Sequence, residues 1–481
     1  MLATYISFFS VYNLRKHAAF ETTGYDLGIW DQKVWNIFNG RPFIVTLMTE
    51  VENNLGNHVD PIAIFVALLY WLHPGSQTLI IIQVVIVSLG AIPIFLYAKS
   101  KLHSDFAGLV FAGVYLLFPA LESAVCFDFH GITLATPFLA FALWALYLKK
   151  YRLLFLFIGL AMACQEDVPL LTMVMGLYII VMQRNWRVGG IIMLISGLWF
   201  IVANFWIIPT YSLLGEDIHI YRYEYLGNSL DQIIKTIVFR PWFVIQQAFT
   251  GEKYNYWLRL TMPTAFVSIL DPFTLLMAVP RILINTLSTD PPSYQLDKYH
   301  SSAVIVPFVV VAGINGMNTL IRFLTQHLRQ VKLSFLRNVL LIMVFFVTLI
   351  YQMELGYTPL GQRFYKWPQI SEHNQTAQTM VSKIPPDAAV AAQNNLVPHL
   401  SQRQWIFILP KISHRSKEAD FIVFDMEGSL IPYKYIGEYC QQIEELLSGT
   451  EYGLIFSEDG LLLFERNALH RASYVKLPPC D

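Results

Sequence analysis

The stretch Thr22-Thr23-Gly24-Tyr25-Asp26-Leu27-Gly28-Ile29-Trp30-Asp31-Gln32 follows the first apolar run of a very hydrophobic chain and sets two carboxylates beside it. From Leu27 the apolar residues recur at Trp30, Val34, Ile37 and Phe38 and stop at Asn39-Gly40, a spacing that predicts a helix. Such a helix lies flat in a membrane interface, with Trp30 and Trp35 at headgroup depth. Asp26 stands just ahead of its first turn. There a carboxylate either caps backbone N–H groups or serves as a general base at the rim of a lipid-facing cavity. Where the other polar clusters fall decides between the two.

Of 481 residues, 55% are hydrophobic, 15% aromatic and only 14% charged. Soluble domains carry about 25% charged residues, so most of this chain belongs in lipid. The formal net charge of -1 gives no electrostatic case for nucleic acid. Cys126, Cys164, Cys440 and Cys480 are far apart and lack metal-ligand spacing. The run from Leu2 to Leu14 has no basic residue ahead of it and no small-residue cleavage site behind it, so it reads as a short first span and not a cleaved signal peptide.

Runs that meet or approach the length of about 20 residues needed to span are Gln77 to Ala98, Phe106 to Val125, Ile132 to Leu148, Val188 to Pro209, Ser302 to Leu324 and Phe335 to Tyr351. Lys99 and Lys101, then Lys149, Lys150 and Arg152, then Arg184 and Arg187, then Arg322, Arg329, Lys332 and Arg337 fill four short loops, which the positive-inside rule places in the cytoplasm. The alternate connections then face outward. They hold nearly all the unusual polar residues: the Asp26 loop (15–58), Asp128-Phe129-His130-Gly131, Gln165-Glu166-Asp167 and the outer segment 215–257. Ionisable groups at a membrane rim are costly, and their sorting onto one side points to a single site.

Between Leu153 and Met182 the run breaks at Gln165-Glu166-Asp167-Val168-Pro169 while both ends are basic, so it rises and returns. Each arm gives roughly 20 Å of helix against a core of about 30 Å, which would recess the acidic tip below the outer surface; the alternative is a solvated turn with Pro169 at the first helical position. A re-entrant segment is expected at 59–73. Leu258 to Leu287, interrupted by Pro263, Asp271-Pro272 and Pro280, reads as broken helices. The layout predicts a mostly α-helical polytopic domain over 1–352 with roughly eleven spans and the N-terminus inside. Past Gly356 the pattern changes. Strands are expected at Ala388 to Ala392, Trp405 to Leu409, Phe421 to Phe424, Gly453 to Phe456 and Leu461 to Phe464, and helices at Thr376 to Ile384, Asn394 to Leu400 and Ile436 to Ser448. This is a small α/β domain, 353–481, on the outer face. It has no glycine-rich phosphate loop.

Outer acids beside a lipid cavity suit activating an acceptor hydroxyl, binding a divalent metal or relaying protons. Asp26 is the candidate base. Asp128, His130, Glu166 and Asp167 are candidates to position acceptor or metal, and Asp128, His130 and Glu166 with one imidazole among oxygen ligands suit magnesium, manganese or zinc. His58 in Asn57-His58-Val59-Asp60-Pro61 and Tyr299-His300 stand where loops re-enter the membrane, each alternatively a plain carbonyl partner. Arg222 in Tyr221-Arg222-Tyr223-Glu224-Tyr225-Leu226-Gly227, with Lys298 or Arg281, is a candidate to neutralise a phosphate at the rim, against interfacial snorkelling, and Tyr225 of the same stretch is a candidate substrate contact. Gln32 joins the candidate substrate contacts.

Taken together, Tyr25-Asp26-Leu27-Gly28-Ile29-Trp30-Asp31-Gln32, Asp128-Phe129-His130, Gln165-Glu166-Asp167 and Tyr299-His300 resemble an uncharacterised family of polytopic prokaryotic membrane proteins grouped with the GT-C glycosyltransferases, over roughly Phe20 to Pro307. The resemblance implies transfer of a sugar, with inversion, from a polyisoprenyl-phosphate carrier to a glycan, lipid or protein acceptor outside the cytoplasm. It matches Asp26 to the first-loop acid, and Asp128 or Glu166-Asp167 to the second acidic motif. An Asp-x-Asp pair and an oligosaccharyltransferase motif are both missing, which disfavours protein N-glycosylation. The competing expectations are a transporter or channel built on the recessed acids and broken helices, and a non-catalytic scaffold.

Overall fold

The structure is a computed structural model that describes residues 1–51, 53–327, 330–364, 366–414 and 417–470; Arg329 and Cys480 lie outside the described residues. The chain forms two compact units, Met1–Phe9 with Leu55–Ile62 and Gln83–Lys366, and Ser10–Asn54 with Ala63–Ile82 and Trp367–Asp481.

The first unit is helical. Among the described residues four helices are long and apolar enough to cross a membrane: Ser76–Leu102, Trp186–Tyr211, Ala303–His327 and Leu333–Leu355. Asp105–Leu116 and Pro119–Cys126 add a fifth if counted as one span bent by 50°, with Pro119 opening its second half. The count by length is thus four or five, where roughly eleven were expected. Gly131–Tyr147, Tyr151–Met162 and Val168–Gln183 are apolar but shorter. The expected break between Leu153 and Met182 is present as the turn joining the last two of these. The proline-interrupted stretch also breaks as read, into short pieces from Lys253–Thr261 to Val279–Leu287.

Ala303–His327 is central, with 78% of its apolar window buried, against 22% for Trp186–Tyr211. The latter exposes Leu194, Leu198 and Ile201, a surface suited to lipid. Helices Val168–Gln183 and Trp186–Tyr211 approach through Gly176 and Gly189. A Cβ on Gly189 would lie 2.5 Å from the Gly176 carbonyl oxygen, so only a residue without one permits this packing.

The second unit is built on a five-stranded sheet. Its strands are β1 (Val390–Ala392), β2 (Ile406–Ile408), β5 (Phe421–Asp425), β6 (Tyr452–Glu458) and β7 (Leu461–Arg466), and β3 (Ser413–His414) and β4 (Lys417–Glu418) form a separate short ladder. The order is β2-β1-β5-β7-β6, parallel across β2, β1 and β5 and antiparallel from β5 to β6. Buried Ile422, Phe424, Leu462 and Phe464 pack with Tyr439 and Ile443 of the helix Ile436–Ser448.

Residues 10–54 fold with this sheet. The Gly24 amide donates to the Asn394 carbonyl oxygen and to its Oδ1, each at 2.8 Å, and Thr46 Oγ1 donates to the Ile406 carbonyl at 2.7 Å. The predicted first helix forms as Ile29–Phe38, but it does not lie exposed in an interface. Trp30, Asp31, Gln32, Lys33, Val34 and Asn36 are all buried, which leaves no polar face for water. The Lys33 ammonium lies 3.2 Å from the centre of the Trp30 ring, and such pairing offsets part of the cost of burying the charge.

Candidate functional site

In the first unit the ends of several apolar helices carry polar turns that meet. The acidic turn after Tyr151–Met162 presents Glu166, whose Oε1 lies 2.9 Å from His58 Nδ1 and whose Oε2 accepts the Val59 amide at 2.9 Å. Burial raises the Glu166 pKa, but the charge and hydrogen bond of His58, with backbone donors, outweigh it and hold the carboxyl below its usual range. The same pair works on His58 in reverse: burial lowers its pKa, and Glu166, then Asp60 and Asp217, raise it above the ordinary imidazole value. The two charges therefore stabilise one another.

Asp167 pairs with the Arg281 guanidinium, whose Nε donates to the Ser301 carbonyl at 3.1 Å. Burial nevertheless keeps the Asp167 pKa raised. Its Oδ1 is buried and has no hydrogen-bond partner among the described residues.

Two further loops complete the cluster. Gln83 accepts the His130 amide at 2.9 Å and donates to the Ala124 carbonyl at 3.1 Å, which fixes the 124–130 turn. His130 Nδ1 lies 2.9 Å from the Asp128 carbonyl. Its ring stacks on His300 at 3.6 Å between centroids, and Phe127 flanks both. Ser123 donates to the Tyr299 carbonyl at 2.7 Å. Burial, then the charges of His130, Arg281, His58 and Arg222, push the His300 pKa far down, and its buried Nδ1 is also without a partner among the described residues.

The His219 ring lies 5.4 Å from that of His58, and its Nε2 lies 3.0 Å from Asn57 Oδ1. Burial and the His58 charge lower its pKa to about 3, the opposite direction from the rise at His58. Arg222 faces Asp290 at 3.4 Å.

The first unit thus brings together His58, Asp128, His130, Glu166, Asp167, Arg222, Arg281, Tyr299 and His300. Tyr225, three residues after Arg222, donates its hydroxyl to the Leu287 carbonyl at 2.8 Å. Lys298 is exposed. Asp128, His130 and Glu166 are not gathered around one point as a metal-ligand trio; among the described residues the one group of three His or acidic side chains with such geometry lies elsewhere. The 17-residue helix Gly131–Tyr147 starts directly after His130 and ends before Lys149 and Lys150, so the basic loop lies about 25 Å from the cluster.

Asp26 and Gln32 belong to the second unit. Asp26 sits on a π-helical turn, Gly24–Gly28, and Thr23 Oγ1 donates to its Oδ2 at 2.9 Å; it caps no helix, since the residue ahead of Ile29–Phe38 is Gly28. Gln32 is fully buried, with Nε2 donating to Thr46 Oγ1 and Oε1 accepting the Thr46 amide, both at 2.8 Å. Asp31, which the sequence reading passed over, is fully buried and accepts from the hydroxyls of Tyr70 and Ser401. Burial raises its pKa to about 6 despite these donors. His219, Asp217 and Asn57 were likewise not singled out. A histidine two residues from an acid, in a segment already read as outer, was the available signal.

A multi-pass helical protein with buried ions at its helix ends and an appended sheet domain is the class that this fold and cluster define. Residues 16–463 match the family described as "Predicted membrane protein (DUF2079)", and the chain belongs to that family. Among solved structures it is similar to ArnT from Cupriavidus metallidurans bound to undecaprenyl phosphate, with a TM-score of 0.51 at 12% identity over 96% of this chain and 97% of that one. The same protein in its apo state gives 0.47 at 10% identity over 92% and 93%. At 12% identity the likeness is one of fold. No protein of curated function matches.

Proposed function

We propose that this protein transfers a sugar from a polyprenyl-phosphate carrier to an acceptor at the extracytoplasmic face, with the ionisable cluster of the first unit holding the carrier's phosphate. The observation that carries the reading is the set of buried or half-buried cations, Arg281, Arg222 and His58, at the helix ends remote from the basic loops. An undecaprenyl phosphate is bound by the ArnT structure that shares the fold, and guanidinium groups suit phosphate oxygens. The positive-inside rule then places the cluster outside.

The acceptor hydroxyl gives its proton to a carboxylate as its oxygen forms a bond to the anomeric carbon. The bond from that carbon to the phosphate oxygen breaks with inversion, and the electron pair leaves on polyprenyl phosphate. The leaving group is a good one, so the protein's work is positioning, deprotonation and neutralising the departing charge. Asp26 is the proposed base. The outer donor, a glycan, lipid or protein acceptor, and any contribution of magnesium, manganese or zinc belong to the same proposal.

Purified protein in nanodiscs, given radiolabelled polyprenyl-phosphate sugars and a membrane extract as acceptor, tests it. Label should pass to the extract, and Arg281→Gln should slow that passage by about 10- to 100-fold when the donor is scarce. Solute flux in liposomes without any transfer would instead select the transporter reading, which the broken helices between Met262 and Leu276 favour.

A further inference from the structure

We infer that the sheet domain carries a site for a divalent transition-metal ion of the zinc or manganese class, formed by the imidazole of His373 and the carboxylates of Glu427 and Asp459. One ligand atom from each lies within 4.8 Å of the other two. Donors on a shared zinc ion at about 2.1 Å stand roughly 3.4 Å apart, so small side-chain rotations close the set. One nitrogen with two carboxylate oxygens is a donor set that zinc and manganese accept, and the partial exposure of Glu427 and Asp459 leaves positions for water.

Three pieces of backbone fix these groups. His373 is in the first turn of the helix Glu372–Val381, which Ser371 and Asn374 close with a capping box. Asp459 and Gly460, with φ of 51° and 74°, make the two-residue turn between β6 and β7, where both central positions require positive φ. The Met426 amide donates to the Gly460 carbonyl at 3.0 Å and ties the turn bearing Glu427 to that hairpin.

The support behind the imidazole points to a ligand on its far side. His373 Nε2 lies 3.0 Å from Oδ1 of buried Asp425, which also accepts the Glu427 amide at 3.0 Å, while its Oδ2 accepts Asn395 Nδ2 at 2.7 Å. A histidine that donates one ring N–H to a buried carboxylate presents the other nitrogen as a metal donor. Here that nitrogen is Nδ1, 3.1 Å from Asp459 and 3.9 Å from Glu427. Separately, Asn395 is 7% exposed and its Oδ1 has no partner among the described residues. The amide packs against Gly428, the residue after Glu427.

The test is calorimetric titration of zinc chloride into the chelator-stripped full-length protein in detergent, with cobalt(II) absorption as the second readout. Wild type should bind one equivalent that His373→Gln weakens at least tenfold, and Asp425→Asn should weaken it about 10–100-fold by releasing the ring. Should His373→Gln fail to give monodisperse protein, Glu427→Gln at an exposed side chain should show the same loss. No saturable zinc binding, or binding unchanged in these variants, would mean an ion-paired imidazolium only and would overturn the site. The outcome is independent of the transfer reading.

Discussion

Replacing His58 with Gln tests whether the ionisable cluster is a coupled unit. Glu166 is 6% exposed, and His58 is the ionic partner that lets it stay charged. Removing one member of a buried ion pair costs about 3–5 kcal/mol. The His58 side chain is 32% exposed, so water screens part of the pairing, and the expected loss falls to about 2–3 kcal/mol. His58→Gln/Glu166→Gln removes both charges and should regain most of that loss, coming within about 1 kcal/mol of wild type. Denaturant or thermal unfolding of detergent-solubilised protein reads both numbers. A single variant as stable as wild type, or losses that simply add in the double variant, would refute the coupling.

The same pair sets a pH window. Glu166 has a lowered folded pKa, so its contribution is present above its unfolded value and is lost as pH falls through the folded one; His58 has a raised folded pKa, so its contribution is complete below about 6.5 and is lost as pH rises through the folded value. Stability of the first unit should therefore decline on both sides of a mildly acidic optimum, and a profile unchanged in the double variant would remove this pair as its source. Asp31, raised to about 6, should cost the second unit about 3 kcal/mol as pH rises from 4 to above 6; Asp31→Asn should flatten that slope, as pH-dependent proteolysis of the sheet domain can show. Asp26→Asn should reduce transfer by about 10²- to 10⁴-fold with unchanged unfolding, and near wild-type turnover would exclude it as the base. Gly189→Leu should separate two helices now in backbone contact, and an unaltered melting temperature would contradict that packing.

The membrane helices were legible because long apolar runs ended at glycine, proline or basic residues. The strands of the sheet domain were legible because short runs rich in Val, Ile and Phe lay between turn residues. The Gln165–Pro169 turn declared itself by putting charge inside an apolar run with basic ends. What could not be read was pairing. Nothing local tells Asp167 that its cation is Arg281, 114 residues away, or joins Gly24 to Asn394 across 370. The helix Ile29–Phe38 was misplaced for the same reason: its amphipathic spacing fits a membrane surface, but distant hydroxyls at Tyr70 and Ser401 receive Asp31 and let the helix sink into a protein interior. His373, Glu427 and Asp459, on three separate turns, had no spacing to reveal them.

The first unit's ionisable cluster should recognise a polyprenyl phosphate, and native mass spectrometry of the protein titrated with undecaprenyl phosphate measures that binding directly. Loss of one charge-assisted hydrogen bond is worth about 1.5–3 kcal/mol, so Arg281→Gln should weaken binding by about 10- to 100-fold while undecaprenol, which lacks the phosphate, binds poorly to both. Equal affinity of wild type and variant for the phosphate, or no preference for it over the alcohol, would contradict the account.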